Sequence, residues 1–271
     1  MLINSFQVLL NFFLASRRNF LKYSLVTGLT CVSAISINAV ARAQNNSSPK
    51  IVTTFLPIHL FTKAVVGDTG QVDILISPGT EVHDYQATPD DVKLLAQANV
   101  LVENGLGIEE FLAGLVTNAG NSKLQQIDAS EGITVIKEEE HEEETEEETE
   151  HHHEGGNPHV WLDPVLAQQQ VATVRDALIK IDPSNADSYR SNAEAYIQQL
   201  QQLDNEFKQK LAPVKGCNFI TFHDAFPYLA QRYGLKQEAI VEIPEDSITP
   251  KDIQRVQQAA NKYQVKALLT E

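Results

Sequence analysis

The sequence predicts an α/β protein in which a long helix joins two βα segments with parallel sheets. Short β-rich runs alternate with amphipathic helices before residue 137 and again after residue 217, which is the pattern of βα units. Between these segments, residues 186–211 carry apolar side chains at spacings of three and four, with no Gly or Pro. A helix of that length between two βα segments is expected to act as a stiff connector.

The first segment contains alternating candidate strands and helices. The candidate strands are Ile51–Phe55, Val72–Ile76, Val100–Glu103, Leu124–Ile127 and Ile133–Ile136. The candidate helices are a stretch through Leu60 and Val65 that Gly67 closes, then Asp90–Gln97 and Phe111–Val116. This alternation favours a parallel sheet with helices on its faces.

The composition changes between Lys137 and Gly156, where almost no apolar residue occurs. Residues 138–154 include eleven glutamates, and such a segment cannot bury enough surface to fold, so we expect a disordered insertion. After it, Asp163 and Pro164 form an N-cap followed by proline at the first helical position, which predicts a helix that ends near Ile181.

The second segment repeats the alternation after the long helix Ala186–Leu211. Its elements are strand Phe219–Phe222, helix Phe226–Tyr233, strand Ala239–Ile243, helix Pro250–Lys262 and strand Val265–Thr270. Because the chain stops at Glu271, directly after a strand-like run, we expect this second lobe to be incomplete. The predicted divisions are a lobe at residues 49–185, the connecting helix at 186–211 and the second lobe at 212–271.

The N-terminus has the order of a secretory signal. The pair Arg17-Arg18 precedes a mostly apolar stretch at residues 23–40, and Ala41-Arg42-Ala43 supplies a small-residue cleavage site. This order predicts that residues 1–43 are a twin-arginine signal and that the protein is exported to the periplasm. A membrane anchor is the weaker alternative, since Ser, Thr and Asn interrupt the apolar run.

Charge and cysteine content exclude some partners and leave one question open. The net charge of −15 argues against binding to nucleic acid. Only Cys217 would remain after removal of the signal. It is either half of a disulfide whose partner lies elsewhere or a buried thiol.

Three histidines lie at positions where the loops beside a cleft between two lobes could bring their side chains together. His83 follows the second strand, His223 follows the strand Phe219–Phe222, and His159 lies just before the capped helix. In parallel sheets, ligands bind beyond the carboxyl ends of the strands, and neutral imidazole suits zinc. The placement is compatible with a zinc site at His83, His159 and His223, although a lone histidine is more often a surface or capping residue than a ligand.

Carboxylates follow each of these histidines closely, at Asp84, Asp163 and Asp224. They could accept a hydrogen bond from the second ring nitrogen of a ligand, or cap the next helix. The spacing does not separate these roles. His59 lies in a candidate helix without a matching partner, so it is left out of the predicted site.

Segments around the three histidines resemble motifs of the metal-binding receptors of zinc and manganese ABC importers. Residues 78–85 resemble the loop PG-x-x-x-H-x-Y/F, and residues 157–164 resemble the segment D/N-P-H-x-W-L-D-P. Residues 221–226 resemble the segment of the third ligand, and residues 267–271 resemble the strand that leads to F-x-E-P-Q. The motifs occur in the order typical of the family.

The resemblance implies two βα lobes joined by a long rigid helix, with metal in the cleft between them and His83, His159 and His223 as its ligands. Manganese receptors of the family usually carry Glu where this chain has His223, so zinc is expected. A further Asp ligand of the family is expected beyond Glu271. Some zinc receptors carry Glu directly before the first histidine, but here Glu81 lies one residue earlier.

The resemblance also implies a function. The protein is expected to capture Zn²⁺ in the periplasm and to deliver it to an inner-membrane ABC permease with a cytoplasmic ATPase. It is expected to be a monomer and not an enzyme. The acidic insertion is expected to collect zinc weakly through His141, His151, His152 and His153. A manganese receptor or a metal-dependent adhesin of the same family is the alternative. A zinc hydrolase is disfavoured, since no H-E-x-x-H and no evident general base occur.

Overall fold

The computed structural model describes residues 48–83, 85–137, 156–241, 248–263, 265 and 268–269. Contacts divide the chain into residues 1–45 and residues 46–271, and all described residues belong to the second unit. The predicted signal at residues 1–43 lies outside the described part. Among the helices of that part, none combines the length and the apolarity needed to cross a bilayer.

The first lobe is a parallel sheet of four strands in the order β2-β1-β3-β4. The strands are β1 Ile51–Thr53, β2 Val72–Ile74, β3 Val100–Glu103 and β4 Gln125–Asp128. The helices between them are α1 Leu56–Val66, α2 Pro89–Ala96 and α3 Leu112–Ala119. The strands β1 and β3 are central, and their apolar side chains are buried between layers of helices.

Helix α2 shows how local sequence fixes an element near the site. Thr88 and Asp91 form a capping box, in which each side chain accepts a hydrogen bond from the backbone N–H of the other, and Pro89 occupies the first turn. The hydroxyl of Tyr85 also donates to Asp91, at 2.9 Å. The start of α2 therefore holds the end of the loop that carries His83.

Two helices follow the residues after the acidic insertion. Helix α4 Pro164–Ile181 packs against α1 and against α5 Ala186–Leu211. Buried Tyr189 and Ala193 of α5 join the core of the first lobe, and the far end of α5 contacts the second lobe through α6. The long helix thus connects both lobes, in agreement with the fold predicted from its apolar spacing.

The second lobe is a parallel sheet in the order β6-β5-β7, formed by β5 Asn218–Thr221, β6 Lys236–Ala239 and β7 Leu268–Leu269. Its helices are α6 Pro227–Tyr233 and α7 Pro250–Tyr263. Gly234 closes α6 in the left-handed region at φ 69°, which permits the sharp turn into β6. The α/β fold with two parallel sheets and a long helix is the predicted one.

Two strand predictions are wrong. Residues 133–136 form no strand, because the backbone of Ile136 bonds elsewhere: its N–H donates to the Tyr228 hydroxyl and its carbonyl accepts from Asn157 N–H. The strand expected at Ala239–Ile243 begins earlier, at Lys236. Its polar residues at the edge of the sheet carry no β signal in the sequence, whereas the apolar run after them does.

Of the two alternatives for Cys217, the buried thiol is wrong. Cys217 lies exposed and unbridged directly before β5. Its backbone N–H donates to the carbonyl of Val214 at 3.0 Å, so it belongs to the turn that ends the long helical connection.

The lobe boundaries at residues 185 and 211 stay predictions.

Candidate metal centre

The three histidines predicted as ligands come together in one cluster. One ring nitrogen from each of His83, His159 and His223 lies within 4.8 Å of the others. His83 is in the loop after β2, His159 precedes a 3-10 turn at Val160–Leu162, and His223 follows β5. Strand ends of two parallel sheets therefore supply the first and third residues, and the segment before α4 supplies the second.

Two imidazoles of this cluster lie at the separation of ligands to one ion. Nε2 of His159 and Nε2 of His223 are 3.2 Å apart. Two nitrogens bound tetrahedrally to zinc at ~2.0–2.1 Å are about 3.3 Å apart. The residues His159 and His223 are 4% and 7% exposed, so this pair is shielded from bulk water. The distance suits a shared ion.

The His83 ring completes the cluster from a third direction. Its centroid lies 5.5 Å from that of His159 and 6.0 Å from that of His223. The indole of Trp161 lies 5.1 Å from the His159 ring at an interplanar angle of 50°, and it meets Phe55 edge to face. Apolar rings thus cover one side of the cluster, which lowers the local dielectric constant around any bound cation.

The amide of Asn157 orients His159. Oδ1 of Asn157 lies 3.1 Å from Nδ1 of His159 and accepts a hydrogen bond from the His159 backbone N–H at 3.1 Å. Since the amide oxygen can only accept, Nδ1 is assigned the proton and Nε2 carries the lone pair. Nδ2 of Asn157 donates to the carbonyl of Asp224 at 2.7 Å. One buried amide therefore connects the loops of His159 and His223.

Two of the acids that follow the histidines, Asp163 and Asp224, are described and take different roles. Oδ1 of Asp163 accepts from Val165 N–H at 2.8 Å and caps α4, and the carboxylate also pairs with the guanidinium of Arg232 on α6. The Asp224 carboxylate accepts from Nδ2 of Asn157 at 3.3 Å. Asp84 lies outside the described residues. Capping is thus the role observed for Asp163.

Several hydrogen bonds tie α6 to the segment that carries His159. The hydroxyl of Tyr228 donates to the carbonyl of Asn157 at 2.6 Å and accepts from Ile136 N–H at 3.1 Å. Arg232, one turn later, reaches Asp163, whose side chain is 2% exposed. Helix α6 of the second lobe therefore fixes both ends of the His159 segment.

His59 and Glu81 do not belong to the histidine cluster. His59 is in α1, and its Nδ1 lies 3.2 Å from Oγ1 of Thr53; burial and the neighbouring Lys63 lower its pKa. The exposed carboxylate of Glu81 accepts from the next backbone N–H, at Val82. His141, His151, His152 and His153 lie outside the described residues.

Sequence reasoning did not identify Asn157, Tyr228 and Arg232 as site residues. Asn157 stands two residues before a predicted ligand, so its position was a usable signal. Tyr228 and Arg232 act across separations of 71 and 69 residues, which no local pattern reveals.

A family model described as "ZnuA: Zinc-uptake complex component A periplasmic" matches residues 51–271. The high-affinity zinc uptake system protein ZnuA of Bacillus subtilis is 37% identical over 223 residues, which are 82% of this chain and 70% of that protein. The zinc-binding lipoprotein AdcA of Streptococcus pneumoniae is 36% identical over 228 residues. That match covers 83% of this chain and 45% of AdcA, so the chain spans less than half of that relative.

Solved structures agree with the sequence matches. The Zn(II)-bound ZnuA-like domain of Streptococcus pneumoniae AdcA superposes with a TM-score of 0.68 at 32% identity, over 82% of this chain and 78% of that domain. The likeness confirms the predicted fold class. The relatives are named for zinc uptake and zinc binding, which confirms the prediction of a binding protein rather than an enzyme.

Proposed function

The chain belongs to the ZnuA family of periplasmic zinc-uptake components, and on that premise we propose that it captures Zn²⁺ through His83, His159 and His223 for import. The observation that carries the proposal is the convergence of three imidazoles within 4.8 Å from three separate segments. Three imidazole nitrogens from the protein are a donor set that can hold zinc.

The donor set favours zinc over manganese. Imidazole is a borderline ligand that suits zinc, whereas manganese prefers carboxylate and water oxygens. In this cluster all three candidate donors among the described residues are imidazoles. A manganese receptor or adhesin of the same family is the alternative. It predicts that manganese competes with zinc at comparable concentrations, and we expect zinc to win by orders of magnitude.

The segment around His159 supports capture of a cation before any lobe movement. Asn157 sets the tautomer of His159, and α6 fixes the backbone on either side through Tyr228 and Arg232. A ligand whose ring is already oriented loses less entropy on binding, so affinity rises. We propose that His159 and His223 form the preorganised half of the site and that His83 completes it.

The cellular context follows from the family. The protein is exported, and we propose the twin-arginine route because Arg17-Arg18 precedes the apolar stretch. We propose that it works as a monomer, with lobes at residues 49–185 and 212–271, and passes zinc to an inner-membrane ABC permease with a cytoplasmic ATPase. Light scattering of the purified protein tests whether it is a monomer in solution. Export of an Arg17→Lys/Arg18→Lys variant tests whether the protein uses the twin-arginine route.

We also propose that the acidic insertion collects zinc weakly. The support is its composition and the position of its flanks. Asn157 N–H donates to the carbonyl of Ile136 at 3.0 Å, so the residues on either side of the insertion meet beside the histidine cluster. A chain of Glu and His that begins and ends there can raise the local zinc concentration at the site.

Zinc titration of the whole protein tests the main proposal. A competing chelator should report one tight zinc site in the wild type and the loss of most of that affinity in His223→Ala. The matched control is His59→Ala, which removes an imidazole of the same chain outside the cluster and should keep tight binding. Wild-type affinity in His223→Ala would remove His223 from the site and overturn the proposed ligand set.

A further inference from the structure

Asn104 uses every polar group of its side chain in the protein interior. It follows β3 and is fully buried. Its Nδ2 donates to the carbonyl of Pro158 at 3.1 Å and to that of Gly105 at 3.0 Å. Its Oδ1 accepts from Nε2 of Gln170 on α4 at 2.9 Å. The bond to Pro158 spans 54 residues and joins the end of β3 to the segment that carries His159.

The peptide between Pro158 and His159 is therefore held at both of its polar groups. Its carbonyl accepts from Asn104, and its N–H, which belongs to His159, donates to Oδ1 of Asn157 at 3.1 Å. These two bonds, with a third from the N–H of Val160 to the same carbonyl at 2.9 Å, fix the rotation of the peptide plane. Since that plane sets the direction of the Cα–Cβ bond of His159, it also sets where the imidazole lies.

Glu109 holds the backbone that presents Asn104. Its carboxylate accepts from Asn104 N–H at 2.7 Å, from the Thr54 hydroxyl at 2.7 Å and from Gly105 N–H at 3.2 Å. Leu106, which follows Gly105, has φ 60°. This left-handed conformation costs a non-glycine residue of order 1 kcal/mol or more. The surrounding hydrogen bonds stabilise this conformation, and such over-determined strain is typical of functional sites.

Two backbone carbonyls fix which way the Asn104 amide faces, and Gln170 bonds to its other end. The carbonyls of Pro158 and Gly105 can only accept, so the Asn104 atom that faces them is Nδ2, and Oδ1 then accepts from Nε2 of Gln170. The same Nε2 also donates to the hydroxyl of Ser130 at 3.0 Å. Gln170 is fully buried, so water does not compete for this bond.

We propose that Asn104 is a positioning residue for metal binding, which sets the direction of the His159 imidazole through the carbonyl of Pro158. The inference rests on the proposed function, since it concerns the affinity of the same three-histidine site. Asn104 does not contact the metal. It acts through the backbone of the ligand segment, and Gln170 acts through Asn104.

The test compares Asn104→Ala with a matched control, Asn121→Ala, in the full chain. Nδ2 of Asn121 also donates to two backbone carbonyls of the first lobe, at Leu95 and Ala98, before the start of β3. Both variants lose the same kind of bond, but only Asn104 touches the His159 segment. Gln170→Met, which keeps a long side chain and removes the donor, serves as a second variant should Asn104→Ala fail to fold.

Zinc dissociation constants and visible spectra of the Co²⁺-loaded proteins give readouts that stability alone would not change. We expect Asn104→Ala to weaken zinc binding about 10- to 100-fold and to alter the cobalt spectrum, with a smaller change of the same sign in Gln170→Met. Asn121→Ala should bind as the wild type does, even where its melting temperature falls.

Two outcomes overturn the inference. One is wild-type zinc affinity in both Asn104→Ala and Gln170→Met, and the other is an equal loss of affinity in Asn121→Ala. If the wild type itself lacks tight zinc binding, or His223→Ala retains it, the proposed function fails instead. The two failures are therefore distinguished by the wild type and His223→Ala.

Discussion

Nε2 of His159 lies 3.2 Å from Nε2 of His223, although the two residues are 64 positions apart and their loops pack on different sheets. Two neutral imidazoles that face each other through unprotonated nitrogens repel each other unless a proton or a cation lies between them. Asn157 assigns the proton of His159 to Nδ1. When Nε2 of His223 is deprotonated as well, the two lone pairs converge at the separation of two ligands of one cation.

Replacing Asn157 by Ala should weaken zinc binding about 10- to 100-fold, because His159 loses the acceptor that fixes its tautomer. The measurement is a competition titration with a chromophoric chelator. Asn185→Ala is the matched control, since Nδ2 of Asn185 donates at 2.7 Å to Asp182 away from the cluster. Equal affinities of Asn157→Ala and the wild type would show that Asn157 does not orient the ligand.

Replacing Arg232 by Met should destabilise the protein by about 3 kcal/mol, because it leaves the buried carboxylate of Asp163 without its charged partner. Urea unfolding measures the change. The control is Arg190→Met, whose pair with Asp187 is exposed and should contribute less than about 1 kcal/mol. A loss no larger than that of the control would mean that the Asp163–Arg232 pair does not secure α6 to the His159 segment.

Glu103→Gln should stabilise the protein above pH 7 and change little near pH 4.5. Burial, with repulsion from Asp128, raises the pKa of Glu103 to about 7. The folded state then binds more protons than the unfolded state between the two pKa values, so stability falls as pH rises towards 7. The gain above pH 7 should not exceed about 3 kcal/mol. Denaturation across this pH range measures it, and a constant difference between the proteins would contradict the assigned pKa.

Removal of residues 138–154 should leave the tight zinc site intact and abolish weaker equivalents in a calorimetric titration. The reason is that flexible Glu and His side chains bind zinc only after they lose chain entropy, which lowers their affinity. An insertion of equal length made of Gly and Ser is the control for loop closure. Unchanged stoichiometry in the shortened protein would rule out the collector role.

Strand ends and a capped helix are local features, so they show where the three histidines lie in the fold, and the order of the three motifs around them is what predicts them as ligands. His83 and His223 follow apolar runs, and the Asp163-Pro164 cap locates His159. The long helix Ala186–Leu211 is equally readable, since its spacing persists without a break.

The parts that could not be predicted depend on contacts between distant residues. Strand β6 is built from polar residues at the edge of a sheet, so its sequence resembles a loop. Asn104 and Tyr228 look unremarkable in sequence, and their roles arise only when Pro158 and Asn157 are brought to them. Tertiary packing decides which hydrogen-bond partner a buried polar group has, and the pattern of apolar residues does not predict that partner.

X-ray absorption at the zinc edge tests the central claim most directly. The sample is the full chain without residues 138–154, loaded with one equivalent of zinc, so that the acidic insertion contributes no signal. We predict three imidazole nitrogens at ~2.0–2.1 Å in this protein and two in its His223→Ala variant. A first shell composed only of oxygen, or the same number of imidazoles in both proteins, would contradict the assignment of His83, His159 and His223 as the zinc ligands.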